Sequence, residues 1–173
     1  MNFDLTLSSQ SRHQGHATDK KFLWNYNLHI PFRRLNVDTD LWLLKIISGF
    51  VDIKKVFTLS KSFKVCLFSR LSCERVGTRF NCRGCNDDGN CANFVETEQV
   101  LFSEDSDEES AFLQIRGSVP VFFQQTGVNV GAHRISVSRG IEACYPAFDR
   151  HMKSLYQDYG SHIYILNLLG IKG

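Results

Sequence analysis

Residues 79–99 read RFNCRGCNDDGNCANFVETEQ, and the turn they contain organises the chain on both sides. Asp88-Gly89 between two extended runs is a strong hairpin signal, because Gly and Asp accept positive φ at low cost. RFNCRGC extends, Asn86-Asp87-Asp88-Gly89 turns, and CANFVETEQVLF returns. Three cysteines, Cys82, Cys85 and Cys91, fall inside the same segment, the first two at C-x-x-C spacing.

Working outward, KVCLFSRL at 64–71 predicts a strand, and LWLLKIISGFVDIKKVFT at 41–58 predicts buried strand broken near Gly49. EDSDEES at 104–110 reads as a solvated acidic loop. AFLQIRGSVPVFF follows as a strand interrupted by Gly117 and Pro120, and RISVSRGIEA at 134–143 as another. A helix is expected from Asp19 to about Ile30, stopped or kinked by Pro31. A second helix opens at Pro146, carries Phe148, Met152, Leu155 and Tyr159 at spacings of three and four, and closes at Gly160. HIYILNLLG at 162–170 reads as a final buried strand. Strand-rich runs followed by helix and strand indicate an α+β fold with no internal repeat.

The composition is that of one globular domain: 43% hydrophobic and 22% charged residues over 173 positions. A net charge of +2 gives no reason to expect nucleic-acid binding. Met1–Gln10 has neither the basic start nor the apolar core of a signal peptide, and the longest apolar runs are too short to cross a bilayer. Six cysteines at low density, with no N-x-S/T sequon, indicate reduced thiols in a cytoplasmic setting.

Zinc is disfavoured at the C-x-x-C. A closed site needs four N or S ligands, and Cys82, Cys85 and Cys91 supply three, with Cys73 and His133 distant in sequence. A calcium loop fails too: with Gly89 at the sixth position, the first is Gly84 and the twelfth is Val95, neither a carboxylate. No metal or other cofactor is therefore expected. His133 and His151 have no nucleophile pattern beside them, and His151 reads as a surface or helix-cap residue.

What remains is a set of arginines and carboxylates. Arg75, Arg79 and Arg83 precede the turn, Glu96 and Glu98 follow it, and Arg116 lies on the next strand. On a strand, Arg75, Arg79 and Arg83 would share one face. Two readings stay open: a ladder of cross-strand ion pairs, or a wall for an anionic ligand, since the guanidinium fork suits phosphate and carboxylate alike. The expectation is one polar cluster of Arg79, Arg83, Arg116, Asn86, Asp87, Glu96 and Glu98, with Arg116 within reach of a carboxylate of the hairpin.

The same residues carry a family resemblance. SRLSCERVGTRFNCRGCNDDGNCANFVETEQV at 69–100 resembles the signature block of the Sac-type phosphoinositide phosphatases, and AFLQIRGSVPVFFQQ at 111–125 is similar to the family's next block. FDLTLSSQ, KFLWNYNLHI, RISVSRGIEACYPAFDRHM and ILNLLG follow it in order, so the resemblance runs from about residue 3 to 170. It implies a β-rich N-terminal subdomain joined to a catalytic α/β subdomain. It also implies removal of monoester phosphate from phosphatidylinositol phosphates at a membrane surface, by a protein peripheral to that membrane. In the family a thiolate in a C-x5-R loop attacks phosphorus while the Arg binds the phosphate oxygens.

That loop, usually within RTNCxDCLDRT, is missing here. CERVGTR at 73–79 has the bare spacing from Cys73 to Arg79 but lacks the Asp-rich surroundings, and it falls in a block that precedes the family's catalytic loop. The expectation is an incomplete domain over 1–173: the end of the N-terminal subdomain plus the start of the catalytic one, inactive alone, with the nucleophile beyond Gly173. The alternative is a noncatalytic module that binds anionic lipid or a protein. Cys82 and Cys91 stand where the family often has Val, Phe123 where Trp is common, and Pro31 inside a usually continuous helix.

Overall fold

The computed structural model describes residues 4–13, 15, 18–58, 61–77, 82–126 and 134–168. Helices α1 (Ser9–His13), α2 (Tyr26–Arg34) and α3 (Thr39–Trp42) precede a four-stranded antiparallel sheet. Its strands are β1 (Ser48–Phe57), β2 (Ser62–Leu71), β3 (Val95–Ser103) and β4 (Glu109–Arg116), in spatial order β1-β2-β3-β4. A two-stranded ribbon, β5 (Phe123–Thr126) with β6 (Arg134–Val137), leads into the long helix α4 (Ile141–Tyr159). The architecture is α+β.

The sheet is an up-and-down meander, so β2 and β3 are flanked on both sides and β1 and β4 are edges. Burial follows that order. In β2 the alternate residues Cys66, Phe68 and Arg70 are buried; in β3, Glu96, Glu98 and Val100. The register places Cys66 opposite Val100, Phe68 opposite Glu98 and Arg70 opposite Glu96, so all six share one face. β1 is exposed along nearly its whole length, which corrects the buried-strand expectation. Its apolar residues meet β2 on one side only, and no described element covers the rest. Gly49 lies inside β1 rather than breaking it. A Cβ there would fall 1.8 Å from the carbonyl oxygen of Ser69 on β2, so only Gly permits the pairing.

Several boundaries move. Residues 41–42 belong to α3, capped by Asp38, whose carboxylate accepts from the backbone N–H groups of Asp40 and Leu41. α2 begins at Tyr26, not Asp19, and runs through Pro31 to Arg34. The missing N–H of Pro31 removes one helical bond, but its carbonyl still accepts from Leu35. β6 ends at Val137, and Ile141–Ala143 are already helix; Pro146 sits inside α4 instead of opening it. Glu109 and Ser110, expected in a loop, start β4. The buried stripe of α4 is Cys144, Ala147 and Leu155, with Met152 and Tyr159 beside it, while Phe148 turns outward.

Within the described part of 162–170 there is no strand. Tyr164, Ile165, Leu166 and Leu168 are exposed, and Ile163 packs on Phe22, Phe94 and Leu155. A strand needs a ladder partner, and none of the described strands runs beside this segment.

Candidate functional site

The turn at the centre of the sequence forms, but the expected hairpin does not extend from it among the described residues: the returning strand, β3, takes β2 and β4 as its ladder partners instead. Cys85 and Cys91 make an isolated antiparallel bridge, closed by Asn86–Asn90. Asn86 ties the turn: its backbone N–H donates to the Asn90 carbonyl at 3.1 Å and its Oδ1 accepts from the Asn90 N–H at 2.8 Å. Gly89, at φ +85°, lies against α4. A Cβ there would stand 2.7 Å from the His151 nitrogen and 2.8 Å from the Ala147 carbonyl oxygen.

His151 Nδ1–H donates to the Gly89 carbonyl at 3.0 Å, and the ring meets Phe94 edge-on with centroids 6.3 Å apart. Burial holds its pKa below the ordinary imidazole value. It is an inward-facing histidine, correcting the surface assignment. Asp87 is gripped by the Arg139 guanidinium at 2.5 and 3.2 Å, and its carbonyl accepts from Arg150. The hydrogen bond from Arg139 lowers the Asp87 carboxyl below its usual range.

The expected single cluster divides. Arg75 points back along its own segment, donating to the carbonyls of Arg83 at 2.8 Å and Gly84 at 3.3 Å. Arg83 donates to Gln125 Oε1 at 3.1 Å. Asn86 and Asp87 stay in the turn. Arg79 lies outside the described residues. Arg116 pairs with Val95 in the ladder, so strand alternation puts it on the sheet face opposite Glu96 and Glu98, where it is exposed.

Glu96 and Glu98 are taken instead by Arg70, which sequence reasoning missed. The Arg70 side chain is wholly buried, and Glu96 and Glu98 nearly so. Its Nη1 donates to Glu96 at 2.7 Å and its Nη2 to Glu98 at 2.9 Å. Nη2 also reaches the Leu7 carbonyl at 2.9 Å, and Nε the Leu5 carbonyl at 2.6 Å. The remaining carboxylate oxygens are satisfied too: Ser9 N–H donates to Glu98 at 2.6 Å and the Tyr159 hydroxyl to Glu96 at 2.6 Å. Burial pushes the Glu96 carboxyl up, opposed by its Tyr159 bond and Arg70, and burial pushes the Tyr159 hydroxyl up. With every group paired, the network pins the N-terminal segment and the end of α4 onto one face of the sheet. A usable signal was present: Arg70 follows Cys66 and Phe68 at steps of two, so an arginine occupied the apolar phase of a strand.

None of this forms a nucleophile. Cys73 Sγ donates to the Lys20 carbonyl at 3.3 Å, and its thiol is pushed up first by burial and then by Glu74. Burial also raises Cys66 and Cys85, and lifts Cys91 to about 12, the opposite of what a reactive thiolate needs. Among the described residues no group of three or more His, Cys, Asp or Glu is placed to hold a metal ion. The cavity between the turn and α4, bordered by Lys21, Ser72, Glu74, Asn90, Arg150 and His151, holds about 30 Å³. That is room for a water, far below the roughly 300 Å³ at which small-molecule pockets begin. No described helix is long and apolar enough to cross a membrane.

A sheet face closed by a buried Arg–Glu–Glu network, with an NDDG turn seated on the following helix, is the pattern built by the signature block. The chain belongs to the SacI homology domain family, whose model matches residues 1–173. It is 51% identical to synaptojanin-1 of Rattus norvegicus over 172 residues and 50% identical to synaptojanin-2 of Homo sapiens over 174. It is 36% identical to the polyphosphatidylinositol phosphatase INP53 of Saccharomyces cerevisiae over 187. These alignments cover 99% of this chain but 11%, 11% and 16% of the respective relatives.

Proposed function

We propose that this chain is part of a phosphoinositide phosphatase that removes monoester phosphate from phosphatidylinositol phosphates, through a cysteine nucleophile carried by a segment beyond these 173 residues. The observation that carries the reading is the family match over the full chain, together with about half identity to two synaptojanins. The thiol environments support it from the other side: every described cysteine with a shifted pKa is shifted upward. The protein works in the cytoplasm, peripheral to a phosphoinositide-bearing membrane. In this reading Arg70, Glu96 and Glu98 are scaffold. Arg75, Arg83, Asn86 and Asp87 hold the shape of the turn and of the segment before β3, and Arg116 stands apart on the outer face.

The test is phosphate release from phosphatidylinositol 4-phosphate in vesicles. The chain alone releases none above blank, and a chimera with residues 1–173 replacing the matching segment of rat synaptojanin-1 releases phosphate. A folded but inactive chimera would sink the proposal. Turnover by the chain alone that is lost in Cys73→Ser would move the chemistry to CERVGTR.

A second reading, a noncatalytic module that binds anionic lipid, is favoured by one surface. Leu28, Phe32, Leu41, Trp42 and Leu44 are exposed around α2 and α3, beside Arg33 and Arg34. Apolar and aromatic side chains rimmed by arginine suit a membrane interface. Flotation with vesicles that increases with phosphoinositide content supports it; no flotation at any composition removes it.

A further inference from the structure

Three buried thiols, Cys85, Cys91 and Cys144, share one small apolar cluster with Phe122 and Ala147, and the proposed phosphatase chemistry uses none of them. Two of the three are positioned by backbone pairing. Cys85 and Cys91 are directly opposed in an antiparallel bridge. The bonds that define it flank the pair: Ala92 N–H donates to the Gly84 carbonyl at 2.8 Å, and Asn86 N–H to the Asn90 carbonyl at 3.1 Å. Cys85 and Cys91 therefore form a non-hydrogen-bonded pair, a pairing in which Cα atoms typically stand about 4.5 Å apart with both side chains on one face. That separation lies inside the disulfide window of roughly 4.4–6.8 Å.

The other thiols have backbone partners of their own, although Cys144 stays in the same cluster. Cys144 donates to the Gly140 carbonyl of its own helix at 3.6 Å, and Cys82 to the Arg75 carbonyl at 3.4 Å. Cys91 also touches the His151 ring, 3.5 Å from Nδ1, but that nitrogen's proton is engaged by the Gly89 carbonyl. The other ring nitrogen, Nε2, 3.7 Å from Cys91 Sγ, is the acceptor left to that thiol, and disulfide closure gives up this contact.

We propose that Cys85 and Cys91 are a latent dithiol that closes into a cross-strand disulfide, locking the Asn86–Asn90 turn onto α4. The oxidant is a small-molecule disulfide of the glutathione class. One cysteine thiolate attacks its sulfur and releases a glutathione thiolate. The second cysteine then attacks the protein sulfur of the mixed disulfide and releases another. The protein loses two hydrogens and two glutathione thiols are formed. Both thiols are buried, so exchange waits on transient opening of the turn. Once closed, the bond restrains the loop that carries the Asp87 contacts to Arg139 and Arg150 and the Gly89 contact to His151.

The sequence supplies a clean assay. Trypsin releases 84–116 as one peptide that contains Cys85 and Cys91 and no other cysteine, while Cys144 falls in 140–150. The whole chain is equilibrated in a glutathione redox buffer, alkylated and digested. The expected 84–116 peptide is unalkylated and lighter by two hydrogens, with Cys144 alkylated. The oxidised protein melts about 5 °C higher than the reduced one, exchange at Asn86–Asn90 slows, and Cys91→Val shows neither difference. Full alkylation of both cysteines at equilibrium overturns the proposal, as does a cross-link from either to Cys144 or Cys82.

Discussion

Arg70→Met tests whether the sheet face is organised as described. The guanidinium serves two buried carboxylates and the carbonyls of Leu5 and Leu7. Methionine fills a similar volume and removes all of these donors. It leaves Glu96 and Glu98 as like charges on adjacent positions of one buried face. Breaking a buried ion pair by deleting one partner costs about 3–5 kcal/mol. Two stranded carboxylates place the substitution at the upper end, softened because Glu96 can take up a proton. For a chain of this size, about 4 kcal/mol lowers the melting midpoint by roughly 10 °C. The assay is urea unfolding followed by circular dichroism, with the denaturant slope compared between variants. Hydrogen exchange adds location, since the backbone of 5–9 loses its anchor and exchanges faster. Replacing all three residues (Arg70→Met, Glu96→Leu, Glu98→Leu) recovers most of the loss, because the cost lies in unpaired charge. Recovery stops short of wild type, since Ser9 N–H and the Tyr159 hydroxyl still lack acceptors. An Arg70→Met protein within about 1 kcal/mol of wild type would mean that Arg70 does not hold Glu96 and Glu98 as buried charges.

Gly89→Ala puts a methyl group against the backbone of α4 at a left-handed position. It lowers stability by about 2 kcal/mol, the cost of the backbone conformation plus displacement of the helix, read from the same urea titration. His151 titrates below its unfolded value of 6.5, so the unfolded chain binds the extra proton first. Stability is therefore fully present above pH 6.5 and is lost as pH falls through the lower folded pKa. His151→Asn, which keeps a donor toward Gly89, flattens that part of a pH-melting profile. Arg116→Ala, on the exposed face, changes stability by less than about 0.5 kcal/mol; a larger loss would mean a carboxylate partner after all. Ile53→Lys on the exposed edge strand β1 reduces aggregation in light scattering without altering the melt, since a charged edge blocks strand addition.

Much of this chain was legible from local rules. Strand β2, the NDDG turn, the Gly160 stop of α4 and the α+β class all follow from short-range signals: alternation, a glycine at positive φ, and helical spacing. The family blocks are linear text as well. What local rules could not supply is which strand each charge faces. Sequence distance pairs Glu96 and Glu98 with the arginines nearest the turn, but sequence distance is not spatial distance. The meander instead sets β3 beside β2, and register brings Arg70 opposite Glu96. Arg116, one strand over, lost its carboxylates to a single step of alternation. Burial has the same origin: the apolar runs 48–57 and 162–168 read as core, yet both are exposed where no described element covers them. A sequence determines which residues prefer to be buried, while partners, register and covering surfaces exist only once distant segments meet. That is why the buried network, which ties residues 5–9, 70, 96, 98 and 159 together, was visible only in the tertiary structure.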